Sequence, residues 1–370
     1  MKPRSKNSIK AVGLMSGTSL DGLDLVAVEF RQTGKTWNFH IEAAETVEYS
    51  SEWKNRLKNA PTVSGVELIQ LHTEYGRFLG NETKRFLTEN NFEPDLIASH
   101  GHTIFHQPEK GFTFQAGSGF EIAAVTGITT VADFRSGDVA LGGQGAPLVP
   151  VGDRLLFSEY EYCLNLGGFA NISFEKNGKR IAFDICPVNI VLNHFAEIQG
   201  FAFDKNGDLG RKGKVNTELL CNLNQLDFNH AEPPKSLGRE WVENVFLPLL
   251  DQTEISDEDK LRTVYEHIAQ QIVGTIGRGK GGGEDRKKGE GKGGGGLVTG
   301  GGAFNAFLIE LISGKTAVEL IIPANEIINF KEALIFAFLG VLKIRGEINC
   351  LASVTGAKCD SSTGIIYSGY

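Results

Sequence analysis

The stretch GLMSGTSLDGLD, residues 13–24, indicates how the first part of the chain folds. The mostly apolar run Ile9–Met15 leads into it, and the alternating run Leu23–Phe30 leads out of it. Two such runs joined by a short turn of glycine, hydroxyl and acidic residues predict a β-hairpin. Backbone N–H groups at such a tip form a concave site for an anion. An ordinary glycine-rich hairpin turn is the alternative.

The acid at this tip restricts which anion fits there. Asp21 would repel a bare phosphate unless a cation lay between the two groups. In proteins, Mg²⁺ is commonly held by one or two carboxylates together with substrate phosphates. The hairpin therefore favours a nucleotide phosphate with Mg²⁺.

Composition limits the class of protein. The chain has 370 residues, 41% hydrophobic and 22% charged, which is typical of a globular protein of about two domains. A net charge of −8 argues against a nucleic-acid surface. No apolar run approaches the ~18 residues of a membrane span, and the basic N-terminus does not continue as a signal peptide. The cysteines indicate reduced thiols in a cytoplasmic protein, because they are odd in number and form no CxxC: Cys163, Cys186, Cys221, Cys350 and Cys359.

The pattern along the chain is mixed α/β. Apolar or alternating runs predict strands at Ile9–Met15, Leu23–Phe30, Asn38–Val47, Leu96–Ser99, Thr129–Ala132, Tyr162–Leu166, Ala170–Phe174, Arg180–Asp184 and Leu297–Thr299. Longer periodic runs predict helices at Ser64–Asn90, Gly119–Thr126, Asn189–Gln199, Glu240–Leu250, Leu261–Ile276 and Phe330–Arg345.

Two halves, each containing a strand that enters a glycine turn, suggest a duplicated architecture. The Gly- and Pro-rich stretch Gly137–Pro150 predicts a crossing between domains. We expect one domain at residues 1–135 plus 355–370 and a second at residues 136–354. Residues 277–296, nearly all Gly, Lys, Arg, Glu and Asp, predict a flexible surface linker within the second domain, because they offer nothing to bury.

Two further glycine turns follow apolar strands, NLGGFAN at 165–171 and TGGGAFN at 299–305. The second leads into a helix, whose N-terminus suits a nucleotide. Each alone is weak; three such turns in one chain favour nucleotide binding.

Polar residues near strand ends are candidates for chemistry. Asp184 ends a predicted strand and could act as a general base in a ligand crevice, or simply as a turn acid. Arg135 could hold a carboxylate or phosphate, or pair with a neighbouring aspartate. His100, His102 and His106 have no nearby Cys or acid to complete a zinc site, which favours a sugar-hydroxyl contact or a packed polar cluster.

These stretches together resemble the 1,6-anhydro-N-acetylmuramic acid kinases, members of the hexokinase-like and actin-like ATPase superfamily. The matches keep the family's order and span nearly the whole chain. They are GLMSGTSLDGLD (13–24), SHGHTIFHQP (99–108), ADFRSGDVALGGQGAPLVP (132–150), LNLGGFANIS (164–173), FDICPVN (183–189), PPKSLGRE (233–240), VTGGGAFN (298–305), KEALIFAFLG (331–340) and SVTGAK (353–358).

The resemblance implies an α/β, two-domain actin-like or hexokinase-like ATPase fold of the ribonuclease H-like type, with ATP and Mg²⁺ in a central interdomain cleft. It implies nucleotide contacts from all three glycine turns, and sugar contacts from a smaller set. The nucleotide set is Gly17, Thr18, Ser19, Leu20, Asp21, Gly22, Leu23, Asp24, Gly167, Gly168, Gly300, Gly301, Gly302 and Asn305, with Asp21 the candidate magnesium ligand. The sugar set is His102, Arg135 and Asn189.

The reaction that the resemblance implies couples two steps. Water attacks C1 of the anhydro sugar, and the freed O6 takes the γ-phosphate of ATP to give N-acetylmuramic acid 6-phosphate, in cell-wall recycling. The family's catalytic acid falls on Asp184, which would deprotonate the water. Here Ile185-Cys186-Pro187-Val188 replaces the family's Thr-Gly-Pro-Gly, so we expect a different local turn.

The resemblance implies a small amino sugar as partner, no nucleic acid and no membrane, and it allows a homodimer. Two rival functions remain at this point. One is an ATP-binding regulator without kinase activity, and the other is a kinase for a different amino sugar. The Asp184 and PPKSLGRE segments argue against the regulator, because a nucleotide switch needs no second constellation beside the phosphates.

Overall fold

The structure is a computed structural model that describes residues 8–17, 20–279 and 294–370. It divides into two compact units. Unit 1 consists of the residues up to Leu156 together with Phe330–Tyr370, and unit 2 is Phe157–Asn329. The predicted α/β class with two domains is confirmed, although these boundaries differ from the expected ones at 135/136 and 354/355.

Each unit opens with three consecutive strands, which are followed by helices and further strands. The strands are β1 (Ser8–Ser16), β2 (Gly22–Thr33), β3 (Thr36–Glu48), β4 (Leu96–Gln107), β5 (Phe112–Ala116), β6 (Thr130–Ala132), β7 (Tyr162–Leu166), β8 (Phe169–Lys176), β9 (Lys179–Pro187), β10 (Gly296–Thr299), β11 (Leu320–Ile321) and β12 (Ile365–Tyr367). The α-helices are α1 (Ser51–Asn59), α2 (Gly65–Glu89), α3 (Gly119–Thr126), α4 (Ser136–Ala140), α5 (Pro150–Leu156), α6 (Asn189–Ile198), α7 (Thr217–Asn224), α8 (Asp227–His230), α9 (Arg239–Trp241), α10 (Leu247–Asp251), α11 (Asp257–Gly279), α12 (Ala306–Ser313), α13 (Asn325–Arg345) and α14 (Ala352–Thr355).

The two sheets share a five-stranded core topology, to which the seven-stranded sheet of unit 1 adds β5, beside β4, and β12. In unit 1 the order is β12-β6-β4-β1-β2-β3, and in unit 2 it is β11-β10-β7-β8-β9. In each, the first three strands form an antiparallel meander, and the first strand also pairs in parallel with the fourth one. The duplicated architecture that the glycine turns suggested is thus present in the strand order. In both sheets the carboxyl ends of several strands meet at one edge, where α/β proteins bind ligands.

Residues 136–156 belong to unit 1 because a buried carboxylate fixes them there. Asp138 is fully buried and accepts hydrogen bonds from the Gly145 N–H at 2.7 Å, the Thr355 hydroxyl at 2.8 Å and the Cys350 thiol at 3.0 Å. These bonds tie the Gly- and Pro-rich stretch to the C-terminal part of unit 1. The composition predicted a crossing between domains, whereas the stretch includes α4 and the approach to α5.

The helix α13 belongs largely to unit 1 for a packing reason. Phe338 contacts the rings of Phe30 and Trp37, with centroids 5.3 and 5.1 Å away. This contact places the apolar segment from Phe330 onward against the first sheet.

Most predicted elements are present, although several differ in extent or in local geometry. The strand predicted at Leu96–Ser99 continues to Gln107, because β5 pairs with its second half. The helix predicted at Glu240–Leu250 contains a π-helical turn at Val242–Phe246 between α9 and α10. Residues 280–293 of the predicted linker lie outside the described residues. Among the residues that the structure describes, no helix is long and apolar enough to cross a membrane.

The contact between β1 and α13 yields a stability prediction. A Cβ atom at Gly13 would lie 1.9 Å from the Ala333 carbonyl oxygen, so the Gly13→Ala variant must displace backbone. We expect it to lose about 3 kcal/mol of stability, seen as a lower urea midpoint. Gly65→Ala is the matched control, since open space surrounds Gly65 at the start of α2. It should keep or raise the midpoint, and a Gly13→Ala midpoint equal to that of the control would contradict the close contact.

Candidate functional site

The hairpin at the end of β1 is packed at its base, and a backbone hydrogen bond closes its described part. The Leu20 N–H donates to the Gly17 carbonyl oxygen at 3.3 Å, and Leu20 has a φ of 62°. At the base, a Cβ on Gly22 would lie 2.5 Å from the Val47 carbonyl oxygen, so packing alone requires glycine there. Leu23 is fully buried in the core, so its side chain is not available to a ligand. Thr18 and Ser19, two of the predicted contacts, lie outside the described residues.

Two carboxylates lie on this hairpin. Asp21 is exposed, and Asp24 is half-buried and accepts a hydrogen bond from the Thr46 hydroxyl at 2.6 Å. Burial raises the pKa of Asp24, and the charge of Asp21 raises it further. The two acids are therefore close enough to repel each other, which a cation between them would relieve.

A second group of polar side chains comes from the middle of β4 and from the residues that follow β6. Arg135 donates from Nε to His100 Nε2 at 3.0 Å and from a terminal nitrogen to the Gly145 carbonyl oxygen at 2.7 Å. Burial lowers the pKa of Arg135 to about 10, so it remains a cation at neutral pH. His102, two residues beyond His100 on β4, is buried and hydrogen-bonds Ser16.

Glu332 on α13 joins this group, and the sequence interpretation missed it. Its side chain remains open to solvent although protein atoms crowd around it. This crowding raises the pKa of the Glu332 carboxyl, against the opposing charges of Arg135 and Lys331. An acid in an otherwise apolar helix, KEALIFAFLG, was the signal that could have found it.

In unit 2 the two glycine turns are in direct contact. Gly300 has a φ of +81°, and a Cβ there would lie 2.6 Å from Asn165 Oδ1. A Cβ on Gly302 would lie 2.7 Å from the Leu166 Cβ. The turns meet because β7 and β10 pair in parallel, Thr299 opposite Asn165. The two turns of unit 2 therefore lie at the same edge of its sheet.

The exposed and the buried parts of these turns differ in their surroundings. Gly168 and Gly301 are exposed, and a Cβ on either would meet no atom closer than 3.5 Å. The Asn305 side chain, in contrast, is engaged within the protein: Oδ1 caps α12 by accepting from the Leu308 N–H, and Nδ2 donates to the Tyr265 hydroxyl. Asn305 therefore supports the turn structurally.

A cavity of about 460 Å³ opens beside the turn at Gly301. Asn189, predicted as a sugar contact, lies in its wall and donates from Nδ2 to the Leu166 carbonyl oxygen at 3.1 Å. The wall combines apolar rings with amide and charged groups, as small-molecule sites commonly do. It is formed by Asn189, Leu192, Asn193, Phe203, Asp204, Lys205, Asn206, Gly301, Phe304 and Asn305.

Asp184 lies near the carboxyl end of β9, and a remote segment holds it. The Ser236 hydroxyl and the Leu237 N–H both donate to Oδ2, at 3.0 and 2.8 Å, and the Asp184 N–H donates to the Lys235 carbonyl oxygen at 3.2 Å. Within the described part of the chain, no hydrogen-bond donor reaches the other oxygen, Oδ1. Burial raises the pKa of Asp184, and the two donors and the Lys235 charge oppose that rise.

The strand around Asp184 is longer than the sequence predicted. It continues to Pro187, because Cys186 pairs with Ala170 and Pro187 with Phe169 beyond a bulge. The residues that stand in place of the family's threonine and glycines are all buried: Ile185, Cys186 and Val188 are 2, 0 and 0% exposed. Side-chain packing in the core thus extends β9, where glycines would have favoured a turn.

The sequence profile of the family described as "Anhydro-N-acetylmuramic acid kinase" matches residues 9–369. The anhydro-N-acetylmuramic acid kinase of Vibrio cholerae is 34% identical over 378 residues, covering 96% of this chain and 97% of that protein. The anhydro-N-acetylmuramic acid kinase of Pasteurella multocida is 35% identical over 371 residues, covering 96% of this chain and 96% of that protein. The chain belongs to the anhydro-N-acetylmuramic acid kinase family.

Among solved structures, (R)-2-hydroxyglutaryl-CoA dehydratase component A from Acidaminococcus fermentans aligns over 89% of this chain and 96% of that chain. The identity is 13% and the TM-score 0.43, a likeness too low to carry any argument about this chain.

Membership of the family confirms the family assignment and the predicted function, that of a sugar kinase in cell-wall recycling. A kinase of this family uses ATP and a small sugar substrate, as predicted. The residue roles remain predictions, and the sequence analysis did not foresee that Ser236 and Leu237 are partners of Asp184.

The hydrogen bonds to Asp184 yield a pH prediction. Both bonds favour the ionised carboxylate, so removing one in Ser236→Ala should raise the pKa of Asp184 further. If ionised Asp184 is the base, the acid limb of the kcat/KM profile moves up by about 0.5–1 pH unit. Ser256→Ala, which removes an exposed cap of α11 in the same unit, should leave the limb in place. An unshifted limb in Ser236→Ala would show that another group controls it.

Proposed function

We propose that the chain is an ATP-dependent kinase that opens the 1,6-anhydro bridge of anhydro-N-acetylmuramic acid with water and phosphorylates O6. The single observation that supports this most is the state of Asp184. One carboxylate oxygen is fixed by two donors and the other has none within the described residues, at a sheet edge beside two glycine turns. A general base needs such a fixed, half-buried carboxylate with one oxygen available.

Asp184 accepts a proton from the attacking water. The water oxygen bonds to C1, the C1–O6 bond breaks, and O6 bonds to the γ-phosphorus as the bond between that phosphorus and ADP breaks. The proton on Asp184 then passes to solvent, and the products are ADP and the 6-phosphate. The raised pKa of Asp184 favours its role, because a carboxyl with a higher pKa is a stronger base near neutral pH.

The proposed phosphate contacts are the hairpin segment 17–24 in unit 1 and the exposed glycines Gly168 and Gly301 in unit 2. Backbone N–H groups suit this role, because phosphoryl transfer is catalysed mainly by positioning and charge stabilisation. The cavity beside Gly301 takes the nucleoside, since its volume and its mix of rings and amides suit one. Asn189 therefore serves the nucleotide in this proposal, rather than the sugar.

The residues present fit a magnesium ion. Within the described ranges no group of three or more His, Cys, Asp or Glu side chains could hold a metal by itself. Mg²⁺ in kinases needs only one or two carboxylates beside the phosphates, and Asp21 and Asp24 supply them. When bound, the ion would neutralise phosphate charge.

His102, Arg135 and Glu332 are the proposed sugar contacts in unit 1. Arg135 offers a cation to the carboxylate of the lactyl group, and Glu332 offers an acceptor to a hydroxyl. A cytoplasmic location and a homodimer belong to the proposal as well. The five free cysteines agree with a reducing compartment.

The Asp184→Asn variant tests the base. It should lower kcat by about 10²–10⁴ while the affinity for a non-hydrolysable ATP analogue stays unchanged. The assay incubates enzyme, ATP, Mg²⁺ and anhydro-N-acetylmuramic acid and detects the reducing 6-phosphate. Wild-type enzyme that binds ATP but forms no such product would disprove the proposed activity, whereas retained turnover in Asp184→Asn would remove only the base.

The Asp21→Asn variant tests the magnesium ligand. It should raise the Mg²⁺ concentration for half-maximal activity about tenfold, because one of two carboxylates near the ion is lost. Glu109→Gln, an exposed acid of the same unit outside the hairpin, serves as control. An Mg²⁺ titration of Asp21→Asn that overlays the control would assign the ion elsewhere.

A further inference from the structure

A chain of buried hydroxyls runs beneath the hairpin and ends on His102. The Tyr75 and Tyr49 hydroxyl oxygens are 2.6 Å apart, the Tyr49 hydroxyl donates to Ser16 Oγ at 2.7 Å, and Ser16 Oγ lies 2.9 Å from His102 Nδ1. All four residues are at most 4% exposed. We call this set the hydroxyl relay; it lies wholly in unit 1.

The direction of each hydrogen bond in the relay follows from counting protons. Burial raises the pKa of both phenols, so each keeps its single proton. Because Tyr49 gives its proton to Ser16, Tyr75 must donate to Tyr49. Among the described residues the Ser16 hydroxyl has one other side-chain partner, Tyr49, which already donates to it, so its own proton goes to His102 Nδ1.

His102 is consequently fixed in one tautomer. Burial lowers its pKa to about 4, so the ring is neutral at pH 7. A neutral ring that accepts at Nδ1 carries its proton on Nε2. Nε2 is not among the buried unpartnered atoms of the described residues, and no protein acceptor binds it there. A ligand can therefore reach this donor.

His100, two residues away on β4, is fixed in the opposite tautomer. Arg135, a permanent donor, gives Nε–H to His100 Nε2 at 3.0 Å, and His100 Nδ1 lies 2.8 Å from the Gly101 carbonyl oxygen. His100 thus carries its proton on Nδ1. One strand holds two neutral histidines of opposite tautomer, which provides an internal reference for measurement.

We propose that the hydroxyl relay holds His102 as an Nε2–H donor to a hydrogen-free oxygen of the bound anhydro sugar, such as an ether oxygen of the anhydro ring system. Ser16 is the last residue of β1 and pairs with His102 in the ladder, so the ring lies at the carboxyl edge of the sheet, next to the hairpin. An ether oxygen can only accept a hydrogen bond, so it requires a donor such as Nε2–H, which the other tautomer of His102 would not offer. Tyr75, Tyr49 and Ser16 are then positioning residues, and His102 sets specificity. This inference rests on the proposed function, because it assumes that the sugar lies beside His102.

Nitrogen-15 NMR of the ligand-free enzyme tests the relay without any activity. His102 should show a protonated Nε2 and an unprotonated Nδ1, and His100 should show the reverse. In Ser16→Ala, His102 should lose its single tautomer while His100 keeps its own. His106→Gln, an exposed histidine on the same strand, is the matched control and should change neither pattern. A protonated Nδ1 on His102 in the unmutated enzyme would overturn the proposal.

Kinetics then tests the ligand. His102→Leu and Ser16→Ala should raise KM for the anhydro sugar about tenfold, the loss expected for one hydrogen bond, with ATP-analogue affinity unchanged. His102→Gln should recover most of that loss, because its amide oxygen accepts from Ser16 while its N–H donates onward. A merely structural role would not raise the KM for the sugar while leaving the affinity for the ATP analogue unchanged.

The two experiments separate the two possible failures. If the tautomers are as described but the variants weaken ATP-analogue binding and spare the sugar KM, the sugar assignment of His102 in the proposed function fails and the relay stands. If the tautomers differ from those described, the relay fails, and the kinase activity is unaffected by that result.

Discussion

The candidate site regions of both units depend on one constraint, which is the parallel pairing of the first and fourth strands in each sheet. The pairing of β1 with β4 brings Ser16 beside His102, and the pairing of β7 with β10 brings the turn after Leu166 against Gly300. Because parallel strands end at the same edge, residues far apart in sequence become neighbours without any special loop. A slip of one residue in either pairing would turn each of these side chains to the other face of its sheet.

The charged groups at these edges carry a desolvation cost that the protein offsets only in part. Desolvation by the surrounding protein atoms raises the pKa of Asp184 and of Glu332 and lowers that of Arg135. The ionised form of each group therefore has a higher free energy here than it would have in water. The offsetting donors are few and asymmetric: both donors to Asp184 bind the same oxygen. This asymmetry fixes the carboxylate while preserving its basicity. A fully satisfied carboxylate would be more stable and a poorer base.

The sequence allowed local structure and the position of the glycine turns to be predicted, because hydrophobic periodicity and turn residues act over a few positions. What it could not show is which remote groups meet. Ser236 lies 52 residues from Asp184, and its pattern, PPKSLGRE, reads equally well as a helix start. Glu332 lies in a mostly apolar helical sequence, whose pattern predicts core packing and gives no sign of a site residue. The Gly- and Pro-rich composition of residues 137–150 predicted a crossing between domains, whereas one buried carboxylate, Asp138, orders this stretch through Cys350 and Thr355.

The departure from the family motif after Asp184 changes packing rather than chemistry. Cys186 is fully buried, and burial raises the pKa of its thiol well above the usual range, so it supplies no nucleophile. Ile185 and Val188 join the core of unit 2, which holds the strand in register through Pro187. Asp184 is thereby positioned by the ladder to Asn171 and by the segment at 235–237, with no need for a flexible glycine turn. Within the described residues one Asp184 oxygen thus keeps no donor under this altered backbone. In the proposed function, selection among amino sugars then falls to other contacts, for which the donors and acceptors of unit 1 are the candidates.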